Sequence, residues 1–128
     1  MRFRTLLAVP FVALAVVGCS SSDGGDSASA TTPADAVVIT AIEGIAWDAE
    51  TYAGTAVDGK VTISVKNDST LPHNLHLLDA ENVDVGVELE VTGRGEVDTK
   101  PVPLEPGNYQ VICTITGHGN MKSTLTVS

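Results

Sequence analysis

The sequence predicts an all-β domain, a β-sandwich of about seven to eight short strands. Three observations lead there. No segment after Ala36 keeps a helical apolar period for three turns. Valine, isoleucine and threonine instead alternate with polar residues in short runs. Turn residues (Asp58-Gly59, Asn67-Asp68-Ser69, Pro106-Gly107) cut those runs at short intervals, the spacing of a sandwich. A chain of 128 residues without an internal repeat makes one domain.

The chain opens on an export signature rather than on that domain. Arg2 and Arg4 supply a short positive region, and Leu6 to Val17 is an apolar run too short to span a bilayer. The run ends at Val16-Val17-Gly18-Cys19, which resembles a bacterial lipobox. On that resemblance residues 1–18 form a lipoprotein signal peptide, and Cys19 becomes the lipidated first residue. An ordinary signal peptide with Cys19 incidental is the other reading. Ser20 to Asp35 holds only Ser, Asp, Gly, Ala, Thr and Pro, which bury too little surface to order themselves. Residues 19–35 are therefore expected to be a flexible tether, and residues 36–128 the domain.

Val37 to Ile42, rich in Val, Ile and Thr, is the first expected strand. After the Asp58-Gly59 turn, Val61, Ile63 and Val65 alternate with Thr62, Ser64 and Lys66. Asn67-Asp68-Ser69 breaks that strand, and Asn74 to Leu78 begins another. Val83, Val85, Val87, Leu89 and Val91 share one face, a stripe expected in the core. Beyond Pro106-Gly107, Tyr109, Val111 and Cys113 lie on one side of a strand, and Leu125 and Val127 close the chain. Trp47 is expected to be core. His76, of opposite parity to His73, is expected to face solvent.

Charge and cysteine content remove several function classes. Seven Lys and Arg against sixteen Asp and Glu give a net charge of −9, without the positive footprint that nucleic-acid binding needs. Residues 36–128 hold five basic and thirteen acidic residues, so the domain alone is at −8. Two cysteines make neither a disulfide framework nor a four-thiolate zinc site, and three histidines cannot serve several separate metal ions.

One segment concentrates the chemistry. Cys113, His118 and Met121 place a thiol, an imidazole and a thioether within nine residues, where a loop joins two strands. Upstream, Leu71-Pro72-His73-Asn74 puts a second imidazole at the start of a strand, and a sandwich can bring that end beside the loop. Two imidazoles, a thiolate and a weak thioether make the ligand set of a type 1 copper site. Taken alone, Cys113 and His118 also read as a buried thiol and a surface imidazole, and a Cys19–Cys113 disulfide is open to an exported chain.

With those residues in hand, the domain resembles the cupredoxins, small blue copper proteins. Cys113-Thr114, Gly117-His118, Met121-Lys122 and Thr124-Leu125-Thr126 are similar to the C-terminal copper loop of azurin, and Pro72-His73-Asn74 resembles the first-ligand segment of plastocyanin and amicyanin. The resemblance implies a Greek-key β-sandwich holding one copper ion, with His73, Cys113 and His118 as equatorial ligands and Met121 on the long axis. It implies further that Asn74 ties its side chain to the loop near Thr114. Three positions depart from the pattern: only Gly119 and Asn120 separate His118 from Met121, Thr116 stands where relatives often have proline, and Ser123 replaces a frequent glycine.

Four ligands from the chain would leave no position for a substrate, so the expected function is not enzymatic. The first expectation is a monomeric one-electron carrier between redox protein partners, held by the Cys19 lipid at the cell envelope outside the cytoplasm. A copper-scavenging or copper-delivering envelope lipoprotein is the alternative, and a metal-free adhesive or antigenic domain is a third class.

Overall fold

The computed structural model describes residues 32–128. The signal peptide, Cys19 and the tether up to residue 31 lie outside the described residues.

Among the described residues nine strands follow in chain order: β1 Val37–Ile42, β2 Ala46–Trp47, β3 Thr51–Gly54, β4 Lys60–Asn67, β5 His73–Leu78, β6 Asp84–Val91, β7 Val97–Pro103, β8 Gly107–Ile112 and β9 Lys122–Val127. They form two sheets, ordered β2-β1-β4-β7 and β3-β9-β8-β5-β6. Both sheets are mixed: β1 runs parallel to β4, and β3 runs parallel to β9. Alternate residues turn inward, Val37, Ile39 and Ala41 on β1 and Ser123, Leu125 and Val127 on β9. With Val61, Ile63 and Val65 of β4 and Leu75 and Leu77 of β5, these apolar side chains fill one core, and Trp47 belongs to it. The expected β-sandwich is the observed one.

Three strands had no clear signal in the sequence. β7 contains Pro101 and Pro103, which argue against a strand, yet it pairs with β4 along its length. It stands at a sheet edge, and two prolines of equal parity can both leave their missing N–H on the open side. β2 and β3 are too short for alternation to show, and side chains hold them instead. Asp48 Oδ1 accepts from the Thr40 amide (3.0 Å) and from the Tyr52 hydroxyl (2.6 Å), while Ser123 Oγ donates to the Ala49 carbonyl (2.6 Å). Burial, with Asp48 beside it, pushes the Tyr52 hydroxyl well above its ordinary pKa, so it stays protonated and donating. Ser123 therefore pins the β2–β3 segment to β9, a task a glycine could not perform.

The valine stripe needs correction. Only Leu89 and Val91 are core; Val85 is 37 % exposed and Val83 57 %. His76 pairs with Glu88 but Leu78 pairs with Asp84, so β6 carries two extra residues around Gly86, whose φ is +81°. That bulge lifts the first half of β6 off the core while preserving the parity of the second half. Leu89→Ala should cost roughly 2–5 kcal/mol, and Val85→Ala within about 0.5 kcal/mol of nothing. Urea denaturation of both variants checks this; equal losses would mean the stripe is core throughout.

Candidate metal centre

His73 begins β5 at the end of the sandwich where the β8–β9 connection crosses. That connection is two consecutive turns. The His118 amide donates to the Ile115 carbonyl, and the Met121 amide donates to the His118 carbonyl, both at 2.9 Å. His118 is thus the shared corner, its ring turned inward. The first turn has Gly117 at its third position with φ +90°, the conformation of a type II turn. Thr116 occupies the position before it, where proline is common but not required.

These elements bring three of the residues singled out in the sequence together. One ligand atom from each of His73, Cys113 and His118 lies within 4.8 Å of the others, and all three residues are buried. Cys113 Sγ is 3.5 Å from His118 Nδ1, and the ring centroids of His73 and His118 are 4.9 Å apart. Met121, which ends the second turn, is buried in the same core that holds Cys113. Asn74 spans from β5 to the loop: its Nδ2 donates to Thr114 Oγ1 and its Oδ1 accepts from the Thr114 amide, each at 2.8 Å. His76 stands apart from the cluster. It is half-buried rather than solvated, with Nδ1 2.8 Å from Asp84 and Nε2 3.7 Å from Glu88.

His73 Nδ1 is buried and has no hydrogen-bond partner, and Trp47 Nε1 shares that condition. An orphaned imidazole nitrogen is costly unless something binds it. Beside it lie a second imidazole nitrogen and a free buried thiol, a nitrogen and sulfur donor set suited to a soft transition metal. The residues fit a metal ion.

Sequence reasoning missed two residues here. Ser69 Oγ lies 2.7 Å from His73 Nε2, and Asn67 Oδ1 accepts from the Ser69 amide at 2.9 Å. Asn67-Asp68-Ser69 read only as a strand break, and no pattern in it points to an imidazole four residues on. Trp47, read as core, also lies against the site, its ring centroid 6.4 Å from that of His73.

Burial, with His118 beside it, pushes His73 below its ordinary pKa of 6.5, against an upward pull from Glu43. The unfolded chain then binds a proton at His73 before the folded chain does. Metal-free protein should therefore lose stability as pH falls from 6.5 toward the lower folded value. Asp84 and Glu96, held below the ordinary carboxylate range chiefly by backbone amides, add acid sensitivity only lower still. Urea midpoints of metal-free protein on either side of the histidine range check it; a flat profile would mean that His73 titrates as an exposed imidazole.

No protein-family model matches the chain, and no curated protein matches it. Solved structures do. Reduced auracyanin from the photosynthetic bacterium Roseiflexus castenholzii superposes with a TM-score of 0.61 at 20 % identity, over 73 % of this chain and 97 % of that one. A purple cupredoxin from Nitrosopumilus maritimus gives 0.57 at 20 % identity, over 73 % and 100 %. An oxidised proline-to-glycine mutant of amicyanin gives 0.58 at 20 % identity, over 77 % and 88 %. What is shared at this identity is the fold.

Proposed function

We propose that this domain of cupredoxin fold is a mononuclear type 1 copper protein that carries single electrons. The observation that carries the proposal is the buried cluster of His73, Cys113 and His118, with His73 Nδ1 left unpartnered. Copper held there would supply a one-electron Cu(I)/Cu(II) couple. Cys113 would provide the thiolate and His73 and His118 the imidazoles, with the Met121 thioether a weak fourth donor. Asn74 holds the Cys113 loop to β5 through two hydrogen bonds, so the ligands have little room to rearrange between oxidation states.

His118 offers the way out for the electron. It is 6 % exposed against 1 % for His73, and Gly117 and Gly119 beside it are exposed. Leu71, 40 % exposed, and Pro72 lie just before His73 and give that end an apolar margin. The export signature supports a carrier at the cell envelope, tethered through Cys19 and residues 19–35, that meets redox proteins as a monomer.

The test is a titration of metal-free protein with Cu(II). An intense copper–thiolate band in the visible is expected at one equivalent. The fluorescence of Trp47, the only tryptophan, should be quenched at the same point because its ring lies 6.4 Å from His73. Copper binding without the band would remove the blue-copper reading.

A further inference from the structure

His73 needs one specific tautomer to bind metal through Nδ1, and the loop between β4 and β5 contains a device that selects it. Ser69 is 1 % exposed, and its hydroxyl oxygen has four polar neighbours. The Leu71 amide donates to it at 3.2 Å. Two oxygens stand within reach of its single proton, Asn67 Oδ1 at 3.0 Å and the Leu71 carbonyl at 3.2 Å. The fourth neighbour is His73 Nε2 at 2.7 Å. The Leu71 carbonyl has no proton to give. The Asn67 oxygen must face Ser69, because it accepts from the Ser69 amide while Asn67 Nδ2 donates to the Leu71 carbonyl at 2.8 Å. Either oxygen can take the hydroxyl proton, which leaves the serine oxygen free to accept from a protonated His73 Nε2.

We infer that Ser69, oriented by Asn67, is a positioning residue that locks His73 as the Nε2–H tautomer and so presents the Nδ1 lone pair to the metal. This rests on the copper reading for its use, but the lock itself is a property of the metal-free protein. The orphaned Nδ1 decides between the tautomers: in the other one Ser69 would donate to Nε2, and Nδ1 would carry a buried proton with no acceptor. The anchor does not depend on the metal loop. The Asn67 amide donates to the Glu96 carbonyl (2.9 Å), the Asn67 carbonyl accepts from the Gly95 amide (2.7 Å), and the Asp68 amide donates to the Ala41 carbonyl (2.8 Å). The lock thus ties the β5 ligand to the opposite sheet, and loop movements around Cys113 do not release it.

The test compares Ser69→Ala with Ser64→Ala. Ser64 is an equally buried serine, bonded to Thr99 at 2.7 Å and remote from the ligands. Nitrogen-15 NMR of the imidazoles in metal-free protein, above the histidine titration range, should show His73 protonated at Nε2 in the wild type and in Ser64→Ala. In Ser69→Ala it should show a mixture of tautomers. Copper affinity, measured by competition with a chelator, should fall about 10- to 100-fold in Ser69→Ala and stay within about threefold in Ser64→Ala. A wild-type His73 protonated at Nδ1 overturns the proposal whether or not either variant folds. A folded Ser69→Ala with a single Nε2–H tautomer and unchanged affinity overturns it too. If wild-type protein takes up no copper, the function above fails, and the NMR result still decides the lock.

Discussion

Cys113→Ser should lose the visible copper band completely, whatever copper it retains. The band requires a thiolate bonded to Cu(II), and among the described residues Cys113 is the one cysteine. Serine nearly keeps the size of the side chain, so the fold should survive: the core that holds Cys113 loses only its sulfur. In metal-free protein the contact with His118 Nδ1, 3.5 Å in the native chain, would become an ordinary hydroxyl–imidazole pair. Absorption and urea stability measured on the same preparation separate the outcomes. An intense band in a folded Cys113→Ser would exclude Cys113 as the ligand. Loss of folding would transfer the question to His118→Ala, which should leave an exchangeable site without the native spectrum.

The sandwich was legible where alternation ran long enough to count. β1, β4, β5, β8 and β9 each show it, because a strand buried on one face must repeat every second residue. β2 is two residues long, so no repeat can appear in it, and what fixes it is Asp48, just beyond its end, accepting from Tyr52 of β3. β7 was hidden by Pro101 and Pro103, since local preference cannot reveal that a strand will stand at an edge. The stripe of β6 misled for a related reason: alternation survives a bulge of two residues, but burial does not.

At the metal centre the spacing Cys113, His118, Met121 carried the chemistry, and the structure puts two of those residues in one cluster with His73. Ser69 could not be read in advance. Its role depends on which of its neighbours can donate a proton, and that is decided by the fold of residues 67–72 rather than by their identities. The same holds for Ser123, whose partner Ala49 is 74 residues away.

Gly119→Leu should slow electron transfer to a protein partner by about tenfold, equivalent to ~1.4 kcal/mol in the encounter, with the copper spectrum unchanged. Both glycines beside His118 are exposed, and a Cβ built at either meets no atom within 4 Å. They are not equivalent. Gly117 has a φ of +90°, so any side chain there strains the turn that carries His118 and could disturb the ligand itself. Gly119 carries no such restriction, and a side chain there starts in open space next to His118 in the chain, so leucine at 119 should add bulk beside the ligand without moving it. Charge acts separately. Near the site Glu43 is paired with Arg94 and Asp68 with Lys66, whereas Asp79, Glu81 and Glu105 line a groove around the β5–β6 turn at the opposite end. The net negative charge should speed encounter with a basic partner, and salt should lower that rate. Because the bulk added at position 119 is uncharged, wild type and Gly119→Leu should lose rate with salt along parallel lines. Stopped-flow kinetics with a cationic redox protein would show it. Equal rates for the two proteins would place the electron's exit on some face other than that of His118.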